Sequence, residues 1–247
     1  QIEVAAGDDH VILVFRHLAE LNAEDLELLR NFSQATGIVI YLQPKGLASI
    51  HPLNGDASEL YYHVDEPPIR LDFLPHQFTQ INPHINRAMI SQAIDWLDLE
   101  SHHRVLDLFC GLGNFSLPIA RRVSSLIGVE GEESLTQQAS ANAAAAQLEN
   151  TQFYPFDLRE DPSDRVWYGK YDRVLLDPPR SGAEAAIPWL AKMGNQHLVY
   201  VSCPPASLAR DAGVLVNEHG YRMRKLGVMD MFPHTAHVES MALFTRD

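Results

Sequence analysis

From residue 104 onward the sequence alternates between short apolar runs and segments with helical periodicity. In chain order the apolar runs are RVLDLFC, SLIGVEG, TQFYPFD, YDRVLLDPP and HLVYVSC. This alternation predicts an α/β fold with a mainly parallel, doubly wound sheet and helices on both faces. Two further runs, YRMRKLGVMDMF and VESMALFT, follow without an intervening helix. They predict an antiparallel C-terminal edge.

Residues 1–74 predict a small α+β subdomain that precedes a larger domain at 75–247. HVILVFRHL, IVIYLQP and ELYYHV are strand-like, and a helix is predicted between Asn22, a candidate N-cap, and Gly37, a C-terminal stop. EPPIRLDFLPHQFTQINPH is rich in proline and predicts a connector. The following INRAMISQAIDWLDL predicts a helix with one apolar face, formed by Ile85, Met89, Ala93, Ile94 and Leu97.

Charge and cysteine content restrict the function classes. With 19 basic and 32 acidic residues the net charge is −13, which argues against charge-driven, non-specific nucleic-acid binding. YRMRK (221–225) is read equally well as a local basic groove or as a solvated strand edge. Two cysteines cannot hold a four-cysteine zinc or iron–sulfur site, and no apolar run suits a membrane span. We therefore expect a cytoplasmic protein without a membrane partner or metal, and the start at Gln1 predicts a fragment.

A glycine-rich turn predicts a nucleotide-type cofactor site. DLFCGLGNFS (107–116) lies between a strand and a helix, where Gly111 and Gly113 let the backbone approach a ligand. The turn alone is weak evidence, because Ser116 stands where a dinucleotide fingerprint needs a third glycine. Glu130 ends the next strand and suits the two hydroxyls of a ribose. This arrangement fits both a nicotinamide cofactor and S-adenosylmethionine.

Acids that end two later strands favour S-adenosylmethionine. Asp157 ends the third strand, where a carboxylate suits an adenine amine, and Asp177 ends the fourth in LLDPPR. An aspartate at a strand end is also a common helix cap or turn former. Four such features on consecutive strands favour a cofactor edge. Enzymes that methylate exocyclic amines of bases typically have an aromatic residue after the two prolines, whereas Arg180 stands here.

Cys203 is the candidate nucleophile. It follows a strand directly before a predicted helix, at the same sheet edge as Asp177. A helix N-terminus and nearby cations lower the pKa of a thiol, and the candidate cations are Arg180 and Arg210. For Cys110 we predict a buried structural role instead.

A thiolate and a base are what methylation of uracil carbon 5 requires. Carbon 5 is a weak nucleophile until a thiolate adds at carbon 6, and a base must then remove the carbon 5 proton. Glu239 in MFPHTAHVES is the candidate base, with His237 two residues earlier and predicted on the same side of a strand.

Five motifs stand in one order: FTQIN, DLFCGLGNFS, DPPRSG, SCPP and FPHTAHVE. In these the sequence resembles the catalytic region of the bacterial RNA uracil-5 methyltransferases, most closely the 23S rRNA branch. The resemblance implies a class I S-adenosylmethionine methyltransferase fold (Rossmann-like), a monomer, and RNA contact by residues 1–74. It implies Cys203 as nucleophile and Glu239 as base. It places the cofactor contacts at Gln80, Phe109, Asn114, Glu130, Asp157 and Asp177.

The sequence departs from the family in two respects. Pro204 replaces the usual asparagine after the nucleophile, which removes an amide and a backbone N–H. The family's N-terminal oligonucleotide-binding barrel and four-cysteine iron–sulfur cluster are absent, so such a cluster is expected only in a region before Gln1. Three alternatives stay open: a tRNA-specific enzyme, an RNA-binding module without turnover, and a nicotinamide dehydrogenase. The dehydrogenase is disfavoured by Ser116.

Overall fold

The computed structural model describes residues 1–55 and 57–246. Its contacts divide the chain into two compact units. The first comprises Gln1–His63 with Arg70–Phe78, and the second comprises Val64–Ile69 with Thr79–Asp247. The division of roles between residues 1–74 and 75–247 stays a prediction.

A four-stranded sheet and one helix form most of the first unit. Its strands are β1 (Ile2–Ala6), β2 (Val11–Arg16), β3 (Val39–Gln43) and β4 (His51–Pro52), in that spatial order. Helix α1 (Ala23–Thr36) connects the parallel pair β2 and β3. The predicted caps are confirmed: the Asn22 side chain accepts a hydrogen bond from the Asp25 N–H, and Gly37 has φ 72°.

The predicted connector contains a strand. β5 (Tyr61–Val64) pairs with β6 (Ile69–Asp72) in a two-stranded sheet. Ile69 and Leu71 are buried and alternate with exposed or half-buried residues, which is the pattern of a half-buried strand. The neighbouring prolines obscured this short alternation in the sequence.

The second unit is built on a seven-stranded sheet. Its strands are β7 (Arg104–Leu108), β8 (Ser125–Glu130), β9 (Thr151–Pro155), β10 (Arg173–Leu176), β11 (His197–Ser202), β12 (Arg222–Met229) and β13 (Glu239–Thr245). The spatial order is β12-β13-β11-β10-β7-β8-β9. β7 to β11 pair in parallel, whereas β13 is antiparallel to both β11 and β12. Both the doubly wound sheet and its antiparallel edge are confirmed.

Among the described residues, five helices accompany this sheet: α2 (Pro83–Leu97), α3 (Ser116–Ala120), α4 (Glu133–Ala145), α5 (Ile187–Lys192) and α6 (Pro205–His219). The buried face of α2 includes Met89, Ala93 and Leu97 as predicted, together with Asn86 and Ile90. The core of the sheet is apolar and buried, and each buried Val, Leu, Ile, Phe or Met side chain within it contributes about 1.5–3 kcal/mol. Within the described residues no helix combines the length and apolarity needed to cross a bilayer.

Candidate active site

The chain turns sharply where β7 ends, in the predicted cofactor loop. Phe109, Gly111 and Gly113 all have positive φ, at 63°, 54° and 100°. A Cβ on Gly113 would lie 2.4 Å from Leu117 Cδ1, so the turn requires glycine there. A Cβ on Gly111 would meet no atom within 4 Å, so its backbone faces open space. This is the side from which a ligand can approach the main chain.

Glu130, at the end of β8, holds this loop. Its Oε2 accepts a hydrogen bond from the Gly111 N–H at 3.2 Å, and its Oε1 accepts one from the Glu132 N–H at 3.2 Å. The carboxylate is half-buried. It therefore lies beside the open face of Gly111, as a ribose-binding acid would.

Two asparagines that the sequence did not single out support the same loop. Asn86 on α2 is buried and exchanges two hydrogen bonds with the Asn114 amide, at 2.8 and 2.9 Å. Asn142 on α4 donates to the Leu112 carbonyl at 3.2 Å. Asn114, a predicted cofactor contact, is thus oriented by Asn86. The sequence signal that could have identified Asn86 is its position as a polar residue on the otherwise apolar face of α2.

Two buried acceptor atoms in this unit lack a hydrogen-bond partner among the described residues: Oδ1 of Asp107 and Oε1 of Gln80. Asp107 is buried, and its other oxygen accepts from Ser116 Oγ at 2.5 Å. Burial raises the pKa of Asp107 to about 7, with a further contribution from Glu130. Such acceptors suit the ammonium, amine and hydroxyl donors of S-adenosylmethionine, so the residues present fit that cofactor. The sequence did not single out Asp107 as a site residue, because Asp107 lies within the strand before the glycine turn.

Asp157 follows β9 and is paired with Arg159. Arg159 Nη2 lies 2.7 Å from Asp157 Oδ2, and the Arg159 N–H donates to Oδ1 at 3.0 Å. These hydrogen bonds lower the pKa of Asp157 to about 2. The Asp157 side chain is exposed at the same sheet edge, and its predicted contact with adenine stays a prediction.

Cys203 and Glu239 meet because β11 and β13 pair in register. Ser202 is opposite Ser240, which makes Cys203 and Glu239 neighbours across the two strands. The Glu239 carboxyl and the Arg180 guanidinium both lie near enough to the Cys203 thiol to shift its pKa, Glu239 upward and Arg180 downward. Glu239 is 4% exposed, whereas Cys203 is half-buried. The thiol, the acid and the cation thus form one cluster beside the carboxyl end of β11.

Burial dominates the protonation of this cluster. It raises the pKa of Glu239 to about 7, and it raises the pKa of Asp177 to about 8 with the help of the nearby Glu239 carboxylate. The pKa of Cys203 is raised as well, so the predicted lowering is wrong. Burial and the negative charge of Glu239 outweigh the opposite effect of Arg180.

Two other predictions about this cluster are corrected. Arg210 is not a cation beside the thiol, because it pairs with Asp211 at 2.7 Å and with Glu184 at 3.3 Å. His237 is not on a strand with Glu239, since β13 begins at Glu239 itself. His237 is exposed in the irregular segment before β13, where its backbone N–H donates to Thr235 Oγ1. Cys110 is buried as predicted, and burial raises its pKa.

Comparison with known proteins agrees with this geometry. Residues 7–160 and 166–247 match the family described as tRNA (Uracil-5-)-methyltransferase. The 23S rRNA (uracil(1939)-C(5))-methyltransferase RlmD of Alkalilimnicola ehrlichii is 52% identical, over all of this chain and 56% of that protein. The protein of the same name from Hahella chejuensis is 49% identical, with the same coverage. The chain thus spans little more than half the length of these curated relatives.

Solved structures of other proteins share the fold of this chain. The Pyrococcus abyssi tRNA (uracil-54, C5)-methyltransferase in complex with S-adenosyl-L-homocysteine matches with a TM-score of 0.75 and 25% identity, over 98% of this chain and 58% of that one. TYW2 of P. horikoshii in complex with MeSAdo matches with a TM-score of 0.66 and 16% identity, over 99% of this chain and 91% of that one. The second likeness concerns the fold alone.

The strand order and these neighbours define the fold as that of the class I S-adenosylmethionine-dependent methyltransferases. Within that class, the chain belongs to the tRNA (uracil-5-)-methyltransferase family, whose description matches nearly its whole length. The resemblance expected from the five motifs is confirmed, and the nicotinamide dehydrogenase alternative is wrong.

Proposed function

We propose that this chain is the catalytic region of an enzyme that transfers a methyl group from S-adenosylmethionine to carbon 5 of a uridine in 23S rRNA. The main support is the Cys203 thiol, which is paired with the buried Glu239 carboxyl at the edge of the sheet that carries the cofactor loop. The names of the relatives at 52% and 49% identity support the choice of 23S rRNA.

S-adenosylmethionine, when bound, supplies an electrophilic methyl group. We infer that its holders surround the loop after β7: Gln80, Phe109, Asn114, Glu130, Asp157 and Asp177, with Asp107 added from its unpaired buried oxygen. Glu130 suits the ribose hydroxyls because it already accepts hydrogen bonds at the open face of Gly111. Asp177 directly follows β10, which pairs with β11, and Cys203 directly follows β11, so Asp177 suits the reacting end of the cofactor.

The Cys203 thiolate attacks carbon 6 of uracil. The new S–C6 bond sends the C5–C6 π electrons toward carbon 4 and its oxygen, so that carbon 5 becomes nucleophilic and takes the methyl group. The Glu239 carboxylate then removes the carbon 5 proton, the C5–C6 double bond reforms, and the thiolate leaves. One proton is released per cycle. Arg180 stabilises the thiolate charge beside it.

The uridine has to leave its stack to reach this cluster. Cys203 is half-buried rather than fully exposed, and the two groups that contact its thiol are on neighbouring segments. A base in a duplex cannot enter such a site, so we infer that the substrate is a flipped uridine in a loop. The overall charge of −13 further implies that RNA is recognised locally.

The decisive test is the intact mass of the protein after incubation with S-adenosylmethionine and a 23S rRNA fragment that contains 5-fluorouridine. In 5-fluorouridine, fluorine replaces the carbon 5 hydrogen, and a base cannot remove it. A methylated covalent adduct should therefore accumulate. Peptide mapping should locate it at Cys203. The Cys203→Ala variant should form no adduct while binding S-adenosylhomocysteine within about threefold of the unmodified protein, and Cys110→Ala should form the adduct normally.

Glu239→Gln separates the two chemical steps. Methyl transfer to ordinary uridine should still occur, but release should slow and an adduct should build up without fluorine. Fast turnover in that variant would remove Glu239 from the role of base. The absence of any adduct in a protein that binds S-adenosylhomocysteine would instead favour an RNA-binding module.

Pro204 is the feature that favours this module, since it lacks the amide of the family asparagine. The Pro204 carbonyl nevertheless accepts hydrogen bonds from Ser202 Oγ at 3.0 Å and Ser207 Oγ at 2.9 Å, which fix the turn after Cys203. Pro204→Asn should raise the rate of adduct formation if the missing amide assists catalysis. An unchanged rate would make that amide dispensable.

A tRNA substrate is the second candidate, and the TM-score of 0.75 with the tRNA enzyme favours it. The identity of 25% to that enzyme, against 52% to the rRNA enzyme, supports the rRNA. Adduct formation on 5-fluorouridine tRNA, but not on 23S rRNA fragments, would reverse this order.

A further inference from the structure

A buried carboxylate clasps the segment after the DPPR motif to helix α6. Asp211 on α6 is 0% exposed. Its Oδ2 accepts hydrogen bonds from the Ala183 backbone N–H at 2.7 Å and from the Tyr200 hydroxyl at 2.5 Å. The Tyr200 oxygen in turn accepts from the same N–H at 3.0 Å. One backbone group is thus held by a strand and a helix together.

The second carboxylate oxygen of Asp211 holds residues 181–183 indirectly, through Arg210. Arg210 Nε donates to Asp211 Oδ1 at 2.8 Å, and its Nη2 donates to the Ser181 carbonyl at 2.7 Å. Between these contacts lies Gly182, with φ 80°. A Cβ there would lie 2.5 Å from Arg210 Nη2 and 2.7 Å from Asp211 Oδ2. We call these contacts of Tyr200, Arg210 and Asp211 with residues 181–183 the clasp. The clasp leaves no room for any residue but glycine at position 182.

The clasp joins the two segments that meet at the nucleophile. Residues 181–183 directly follow Arg180, whose guanidinium lies near the Cys203 thiol and lowers its pKa. Helix α6 begins at Pro205, two residues after Cys203. Any slip of one segment against the other would separate the cation from the thiol. A buried carboxylate that accepts both charge-assisted and neutral hydrogen bonds, shielded from water, fixes the position of one segment against the other.

We propose that Asp211, together with Tyr200, is a positioning residue that fixes Arg180 against Cys203 and so keeps the nucleophile reactive. This inference rests on the proposed role of Cys203. It assigns to Asp211 a function beyond filling the core, and that function has its own readout, because an effect of Asp211 that is exerted through Arg180 should vanish once Arg180 is removed.

The test is the rate of alkylation of Cys203 by iodoacetamide as a function of pH, measured in a Cys110→Ala background. Two charged groups govern the thiol, Arg180 from the segment after β10 and Glu239 from β13. Asp211→Asn should loosen the hold on Arg180 and so raise the pH midpoint of alkylation. At a pH below the midpoint, the rate should fall about three- to tenfold.

A double-variant cycle separates positioning from general stability. Arg180→Ala should raise the midpoint alone, and adding Asp211→Asn to it should produce no further change. A displacement of the midpoint that persists undiminished without Arg180, or no displacement in Asp211→Asn, would overturn the proposal.

Tyr200→Phe provides a milder variant in case Asp211→Asn does not fold. It removes one hydrogen bond to Asp211 and should displace the midpoint in the same direction. The matched control is Tyr221→Phe, which removes an equally buried phenol that donates to the Asn195 carbonyl at 2.7 Å. That control should lower stability and leave the midpoint unchanged; an equal displacement would overturn the proposal.

The alkylation assay does not depend on methyl transfer. An unmoved midpoint in a protein that forms the fluorouridine adduct would reject the positioning role alone. Methylation by the Cys203→Ala variant would reject the proposed function, whatever the midpoint.

Discussion

Replacing Glu239 by glutamine should stabilise the protein at alkaline pH while it removes the proposed base. Glu239 is 4% exposed, and its pKa is raised from an ordinary 4.5 to about 7, chiefly by burial. The folded protein therefore holds this proton more tightly than the unfolded chain does. Stability is consequently lost as the pH rises from about 4.5 to about 7, because the folded state must then bury a carboxylate.

The magnitude follows from the same values. A tenfold change in acid strength corresponds to ~1.4 kcal/mol, so the full difference is about 3 kcal/mol. Glutamine carries no such charge and keeps a side-chain oxygen that can accept a hydrogen bond at this site. The free energy of unfolding of Glu239→Gln should exceed that of the unmodified protein by less than ~1 kcal/mol at pH 5 and by about 3 kcal/mol at pH 8.

Urea denaturation of both proteins at several pH values measures this difference. The matched control is Glu218→Gln on α6, because Glu218 is exposed and its replacement should change stability by less than ~0.5 kcal/mol at every pH. A difference for Glu239→Gln that stays constant with pH would refute the reasoning. If Glu239 is the base, as proposed, the unmodified protein should also release its adduct about tenfold faster at pH 8 than at pH 6, since only the carboxylate form of Glu239 can take the carbon 5 proton.

Two further predictions concern the cofactor loop. Gly113→Ala should lower the free energy of unfolding by about 1–3 kcal/mol in urea denaturation, because φ is 100° and the new Cβ would meet Leu117; Gly213→Ala, within α6, should be neutral or stabilising. Asn86→Ala should weaken S-adenosylhomocysteine binding about fivefold by calorimetry, since it frees the Asn114 amide to turn; unchanged affinity would show that Asn114 needs no such support.

The local elements were largely predictable because each depends on residues that are close in sequence. The limits of α1 follow from Asn22 and Gly37, which satisfy backbone groups at its two ends. The apolar runs of β7, β8, β10 and β11 can be buried only in a sheet covered on both faces. The strand β6 was missed because four residues between prolines and turns give too short an alternation to recognise.

The sequence by itself predicted the fold class, the glycine turn and the two residues of the proposed pair, Cys203 and Glu239, since glycine turns and polar residues near strand ends are local signals. Only the tertiary structure decided how these groups are charged and held. A thiol pKa depends on every neighbour in space, so the burial that raises it could not be read from the residues beside Cys203. The same holds for Arg210: its partner Asp211 is adjacent in sequence, yet only the folded chain brings the segment around Gly182 against both.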